Sequence, residues 1–242
     1  CTAMTSFLAT GLDSGTSFAA AWNGCTALTS FPAIPLTAGT SFNSTWMNCT
    51  AMTSFLATGL DSGTIFTSAW YNCNDLTSFP ALDLSSGTDF GSTWLGCADI
   101  VSFGACTMTA ATNVASAWQE CASIVTFPTI ALNSSTYFRA TWYGCSSMTT
   151  FPANFFDSWS PASVSANCFY LAWTGCSSLT ATSVENILNS LATAGVAAPA
   201  SGSVDITIDY NASSGTPSVA SAVATLKGLS PAWTITLNGV AQ

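Results

Sequence analysis

Apolar positions recur along this chain at every twenty-fourth position, a spacing far longer than the repeat of an isolated strand or helix. Cysteines mark the period at Cys1, Cys25, Cys49, Cys73, Cys97, Cys121 and Cys145, and Cys176 follows after a longer unit. Counted from each cysteine, the fourth position is aliphatic throughout, from Met4, Leu28 and Met52 to Ile124 and Met148. The seventh is Phe7, Phe31, Phe55, Phe79, Phe103, Phe127 and Phe151, and the twenty-second is Trp22, Trp46, Trp70, Trp94, Trp118 and Trp142, with Trp173 in the last unit. Phenylalanine also holds the eighteenth, with Val114 as the exception. One such unit is too short to bury its own apolar face. Stacked at the strand spacing of about 4.8 Å, the units turn these positions into internal ladders. The period predicts a leucine-rich-repeat type solenoid of seven coils over residues 1–176. Stretches such as Leu-Thr-Ser-Phe supply the short strand and Ser-Gly-Thr or Ala-Gly-Thr the turn, so that each coil contributes one rung to a parallel sheet.

After Cys176 the pattern changes. Val184, Ile187, Leu188 and Leu191 form one helical stripe, with Thr182 and Glu185 spaced as a capping box and Gly195 as the stop. Residues 204–210 alternate, with Val204, Ile206, Ile208 and Tyr210 on one face of a strand and Asp205, Thr207 and Asp209 on the other. Thr216 and Pro217 open a second helix through about Lys227, and a second alternating strand follows. Residues 177–242 therefore read as a helix-strand-helix-strand C-terminal cap, a small α+β unit covering the ladder ends of the last coil.

Charge narrows the function. Two basic residues, Arg139 and Lys227, stand against 11 acidic ones, for a net charge of −9, and only 5% of the chain is charged. Such a chain cannot neutralise phosphates, which argues against nucleic-acid partners. Polar residues interrupt every apolar run, so no membrane span is predicted. Cys1 falls in register with the later cysteines, and the chain is expected to begin inside a longer repeat array.

The pattern C-x-x-L-T-S-F-P through F-x-x-x-W-x-x-C resembles the BspA-like leucine-rich repeats of bacterial surface proteins, a group that includes phage virion and tail-associated proteins. The resemblance covers residues 1 to about 180. It departs in having Trp where that family often has another apolar residue, and in coils slightly longer than those of many members. It implies a right-handed solenoid used for adhesion or recognition, extracellular and displayed on a virion or cell surface, and no enzyme.

Chemistry offers little against that expectation. The chain has no histidine, which removes imidazole bases and ligands. No cofactor or metal site is expected. Asp75 and Asp99 share the third position of adjacent coils and are expected to be solvated acids. The ladder cysteines read as buried apolar residues, while Cys106 and Cys168, off the ladder, are candidates to pair. Candidate ligand-binding residues are the aromatics in variable columns, Tyr71, Tyr137 and Tyr143, and those of the irregular last unit, Phe155, Phe156 and Trp159; the other reading of these rings is that they cover the junction between solenoid and cap. The expected partner is a cell-surface glycan or protein. A structural fibre subunit, self-assembling or docked to virion partners, is the alternative. Ice binding through Thr5, Thr29, Thr53 and Thr77 is a weaker one, because Val101 and Val125 interrupt that column.

Overall fold

A computed structural model describes residues 1–7 and 10–242. Its repeat region contains short parallel strand pairs. β1 (Ser30–Phe31) pairs with β2 (Ser54–Phe55), and β3 (Ser78–Phe79) with β4 (Ser102–Phe103), each residue facing its equivalent in the next repeat. The serines lie toward solvent and the phenylalanines are buried. The expected continuous sheet is broken into pairs, and proline explains the breaks. Leu56 and Gly104 follow their strands and donate their N–H groups to Phe31 and Phe79 carbonyls. Pro80 and Pro128 stand at the equivalent places after Phe79 and Phe127 and have no N–H to give.

Most backbone pairing between repeats lies instead on an arc over the seventeenth to twenty-fourth positions. Every second N–H there donates to the next repeat: Phe42 to Ile65 O, Ser44 to Thr67 O, Trp46 to Ala69 O and Asn48 to Tyr71 O, at 2.7–2.9 Å. The arc turns through two columns of left-handed backbone. One is Ala20, Ser44, Ser68, Ser92, Ser116, Ala140 and Leu171; the other is Gly24, Asn48, Asn72, Gly96, Glu120, Gly144 and Gly175. Gly and Asn adopt this conformation most readily, so Glu120 and Leu171 are the costly members. An exposed threonine column lies alongside, in which the hydroxyls of Thr40, Thr64, Thr88, Thr112 and Thr136 each donate to the threonine carbonyl one repeat back.

Inside run the aromatic columns. Trp22, Trp46, Trp70, Trp94, Trp118, Trp142 and Trp173 stack with centroids 4.9–6.3 Å apart and planes within 14°. Phenylalanines of the seventh position stand perpendicular to them, such as Phe55 at 4.8 Å from Trp46, an arrangement aromatic quadrupoles favour. Among the described residues, the indole N–H groups from Trp46 to Trp173 have no hydrogen-bond acceptor. All ten cysteines are free, so the pairing expected of Cys106 and Cys168 does not form. Cys106 Sγ–H instead donates to Pro80 O at 3.5 Å, while Cys168 sits in the column of Tyr137.

The C-terminal segment packs on the last repeat. α1 (Ala181–Ala194) buries Val184, Ile187, Leu188 and Leu191 and ends at Gly195, in left-handed conformation. Its cap is Thr180, whose side chain accepts from Ser183 N, and not Thr182. Glu185, freed from the expected box, accepts from Ser218 N at 2.6 Å. α2 (Ala220–Gly228) begins later than Pro217 suggested. β5 (Asp205–Ile208) pairs in parallel with β6 (Thr234–Leu237), and β7 (Val240–Ala241) adds an unexpected antiparallel third strand. Asp209, placed on the polar face of the expected strand, accepts from Gly175 N at 2.8 Å and ties the end of β5 to the last repeat. Among the described residues no helix is long and apolar enough to cross a membrane.

Candidate functional site

The tryptophan, phenylalanine and cysteine columns are spent on packing, which leaves the outward positions of the arc for function. There the repeats differ from one another, and their most divergent side chains meet at one place. A cleft of about 380 Å³ is lined by Ser116, Gln119, Glu120, Arg139, Ala140, Tyr143 and Leu171, within the range of small-ligand sites. Arg139 occupies a position held in other repeats by Ala19, Asn43, Thr67, Gly91 and Ala115, and it is the only arginine of the chain. Its guanidinium lies 5.7 Å from the centre of the Tyr170 ring, close enough for a cation–π contact.

Backbone pairing holds these side chains in place. Ser116 N donates to Arg139 O at 2.8 Å, Glu120 N to Tyr143 O at 2.7 Å and Ala140 N to Tyr170 O at 2.9 Å. Each lining residue therefore rides on a main chain fixed to the next repeat. Glu120 (φ 61°) and Leu171 (φ 61°) both stand in left-handed backbone where their columns offer Gly, Asn, Ser or Ala. Strain of this kind persists where surroundings enforce it and tends to gather at functional sites. Here the two largest side chains held in that conformation face the same cleft.

The six aromatic candidates divide. Tyr143 lines the cleft. Tyr71 shares its column but lies three repeats away, about 14 Å by strand spacing, and Tyr137 belongs to another column. All three are half-buried. Phe155, Phe156 and Trp159, expected to be exposed in the irregular unit, are instead core residues at 6%, 1% and 2% exposure. The reason is α1, which covers that unit: Ser190 Oγ accepts from Phe156 N and donates to Asp157 Oδ1. Trp159 Nε1–H donates to Ser135 O at 2.7 Å, and its ring packs on Phe138 and Phe169. These three cannot meet a ligand without unpacking the junction.

Arg139, Glu120 and Gln119 were missed as site residues because an exception in one column, such as Glu120 among Gly and Asn, does not say what lies beside it. Their signal is the convergence of four columns, visible only once the arc is folded. A larger cleft of about 500 Å³ lies beside α2, lined by Pro217, Val219, Ala220, Val223, Ala224, Lys227 and Gln242. Its one charged side chain, Lys227, already donates to Gln242 O at 2.7 Å, so it offers less for recognition. Among the described residues no group of three or more His, Cys, Asp or Glu is placed to hold a metal ion. No protein-family model, curated protein or solved structure matches this chain.

Proposed function

We propose that this chain is a leucine-rich-repeat type, right-handed solenoid with a C-terminal cap, and that it serves as a non-enzymatic recognition module on a virion or cell surface. The observation that carries the reading is the cleft at Glu120, Arg139 and Tyr143. Repeats kept nearly identical in the core diverge at the one outward place where a charged pair, an amide and an aromatic ring converge. The regular recurrence of Cys, Phe and Trp and the repeat-to-repeat register of the strand pairs favour the solenoid, and the likeness to BspA-like repeats favours surface display.

The test is binding of the purified, fluorescently labelled chain to a panel of bacterial cells, with sedimentation run in parallel. Saturable binding to one cell type by a monomer, lost on Tyr143→Ala and retained on Tyr71→Ala, is the expected result. A chain that polymerises and binds no cell would return the structural fibre reading.

A further inference from the structure

Resting on that recognition reading, we infer that the cleft takes a neutral sugar unit, read through its vicinal hydroxyls, with Glu120 as the hydroxyl acceptor and Arg139 as the donor. Charge excludes the obvious rival. An acidic glycan needs a basic field, and this chain carries −9 with two cations in all. The guanidinium of Arg139 shares its cleft with the carboxylate of Glu120, so the lining is neutral in sum while the surface around it repels polyanions.

The donor and acceptor inventory fits hydroxyl groups. A carboxylate only accepts, and its two oxygens can take hydrogen bonds from two neighbouring hydroxyls. Such charge-assisted bonds are short and strong. Arg139 donates only, whereas the Gln119 amide and the Ser116 hydroxyl do both, which suits groups that themselves donate and accept. Tyr143 adds a half-buried ring for the C–H face of a sugar. A peptide would be served worse, because Leu171 is the only large aliphatic side chain in the lining.

Glu120 decides the point. Its position is Gly or Asn in every other repeat, residues suited to left-handed backbone, and the glutamate stands there at a cost in strain. A carboxylate at that spot has no local structural duty: its main-chain bond to Tyr143 O would be made by any residue but proline. It is therefore placed for what occupies the cleft.

The experiment measures binding of the full chain to a neutral glucan, a neutral galactomannan, a polyuronate and a polysialate by titration calorimetry. Wild type, Glu120→Gly and Arg139→Ala are compared, with melting temperatures recorded for each. The expected result is binding to a neutral polymer, weakened about tenfold or more by either substitution, with Glu120→Gly melting no lower than wild type. Preference for an acidic polymer overturns the inference, as does neutral binding that neither substitution weakens, or cell binding with no polymer bound. In each of those cases the recognition reading survives. Failure to bind any cell or polymer removes both.

Discussion

Cys97 Sγ–H donates to the main-chain carbonyl of Trp70 at 3.1 Å, and the same oxygen accepts the N–H of Cys73 at 3.2 Å. The relationship repeats from Cys49 on Trp22 to Cys176 on Trp142. Each cysteine thus fastens its repeat to a tryptophan one repeat back, using the thiol as a donor. That role requires the proton.

Alkali should therefore unfold the protein. Burial pushes the thiols of Cys145 and Cys168 from an ordinary 9.0 up to about 12, and those of Cys73, Cys121 and Cys176 well upward, in each case chiefly by desolvation. Between pH 9 and 12 an unfolded chain releases protons that the fold retains, so stability is complete below pH 9 and falls above it. Each such thiol contributes about 1.4 kcal/mol per pH unit across that window. Denaturant midpoints measured at pH 7, 8 and 10.5 should be close to level between the first two and drop sharply at the third; level midpoints throughout would refute the protonated ladder.

Thiol reagents give an independent reading. Cys1 is exposed and the other nine cysteines are buried, so an aromatic disulfide reagent at neutral pH should titrate one thiol in the native chain and all ten in denaturant. Rapid labelling of several native thiols would contradict the packing.

Glycine at the turn is a steric requirement. A Cβ on Gly63 would collide with the ring of Phe66 and sit 3.0 Å from Leu60 O. Gly63→Ala should cost about 1–3 kcal/mol, in the manner of an overpacked core. Gly228→Ala, where nothing lies within 4 Å, should be close to neutral. Equal midpoints in chemical unfolding would contradict this.

Two serines of α1 close the edge of the last repeat. Ser183 Oγ accepts from Phe151 N at 3.1 Å and donates to Thr149 O at 2.9 Å, while Ser190 Oγ serves Phe156 N. Replacing Ser183 with Ala strands a buried N–H and should cost about 1–3 kcal/mol. Amide exchange at Phe151 should accelerate, and protection as strong as in wild type would show that α1 is not held this way.

Relief of strain makes the last prediction. Glu120→Gly removes a side chain from left-handed backbone and should stabilise by about 1 kcal/mol, raising the melting temperature. A lower one would mean that the carboxylate holds the fold.

The aromatic and cysteine ladders were legible in the chain because each is invariant at its offset: Phe31, Trp46 and Cys49 announce their packing by recurring. Strand breaks were readable in principle, since Pro80 and Pro128 stand in plain view, but their effect depends on which N–H the next repeat would have given. The left-handed column through Ser44, Ser68 and Ser92 carries no glycine signal at all. Phe155, Phe156 and Trp159 left two readings open, ligand contact or cover for the junction, because an irregular unit reads as a surface loop until α1 is laid over it. The cap of α1 moved to Thr180 for a similar reason, as two threonines compete and the Thr149 carbonyl selects the first through a hydrogen bond to its hydroxyl at 3.2 Å.

The stacked indoles from Trp22 to Trp173 are also a row of coupled chromophores. With neighbours close and almost coplanar, as between Trp46 and Trp70 at 4.9 Å and 13°, absorption of light by one ring is shared with the next. The near-ultraviolet dichroism of the protein is then a property of the whole column, and replacing Trp94 at its centre splits one long optical array into two short ones.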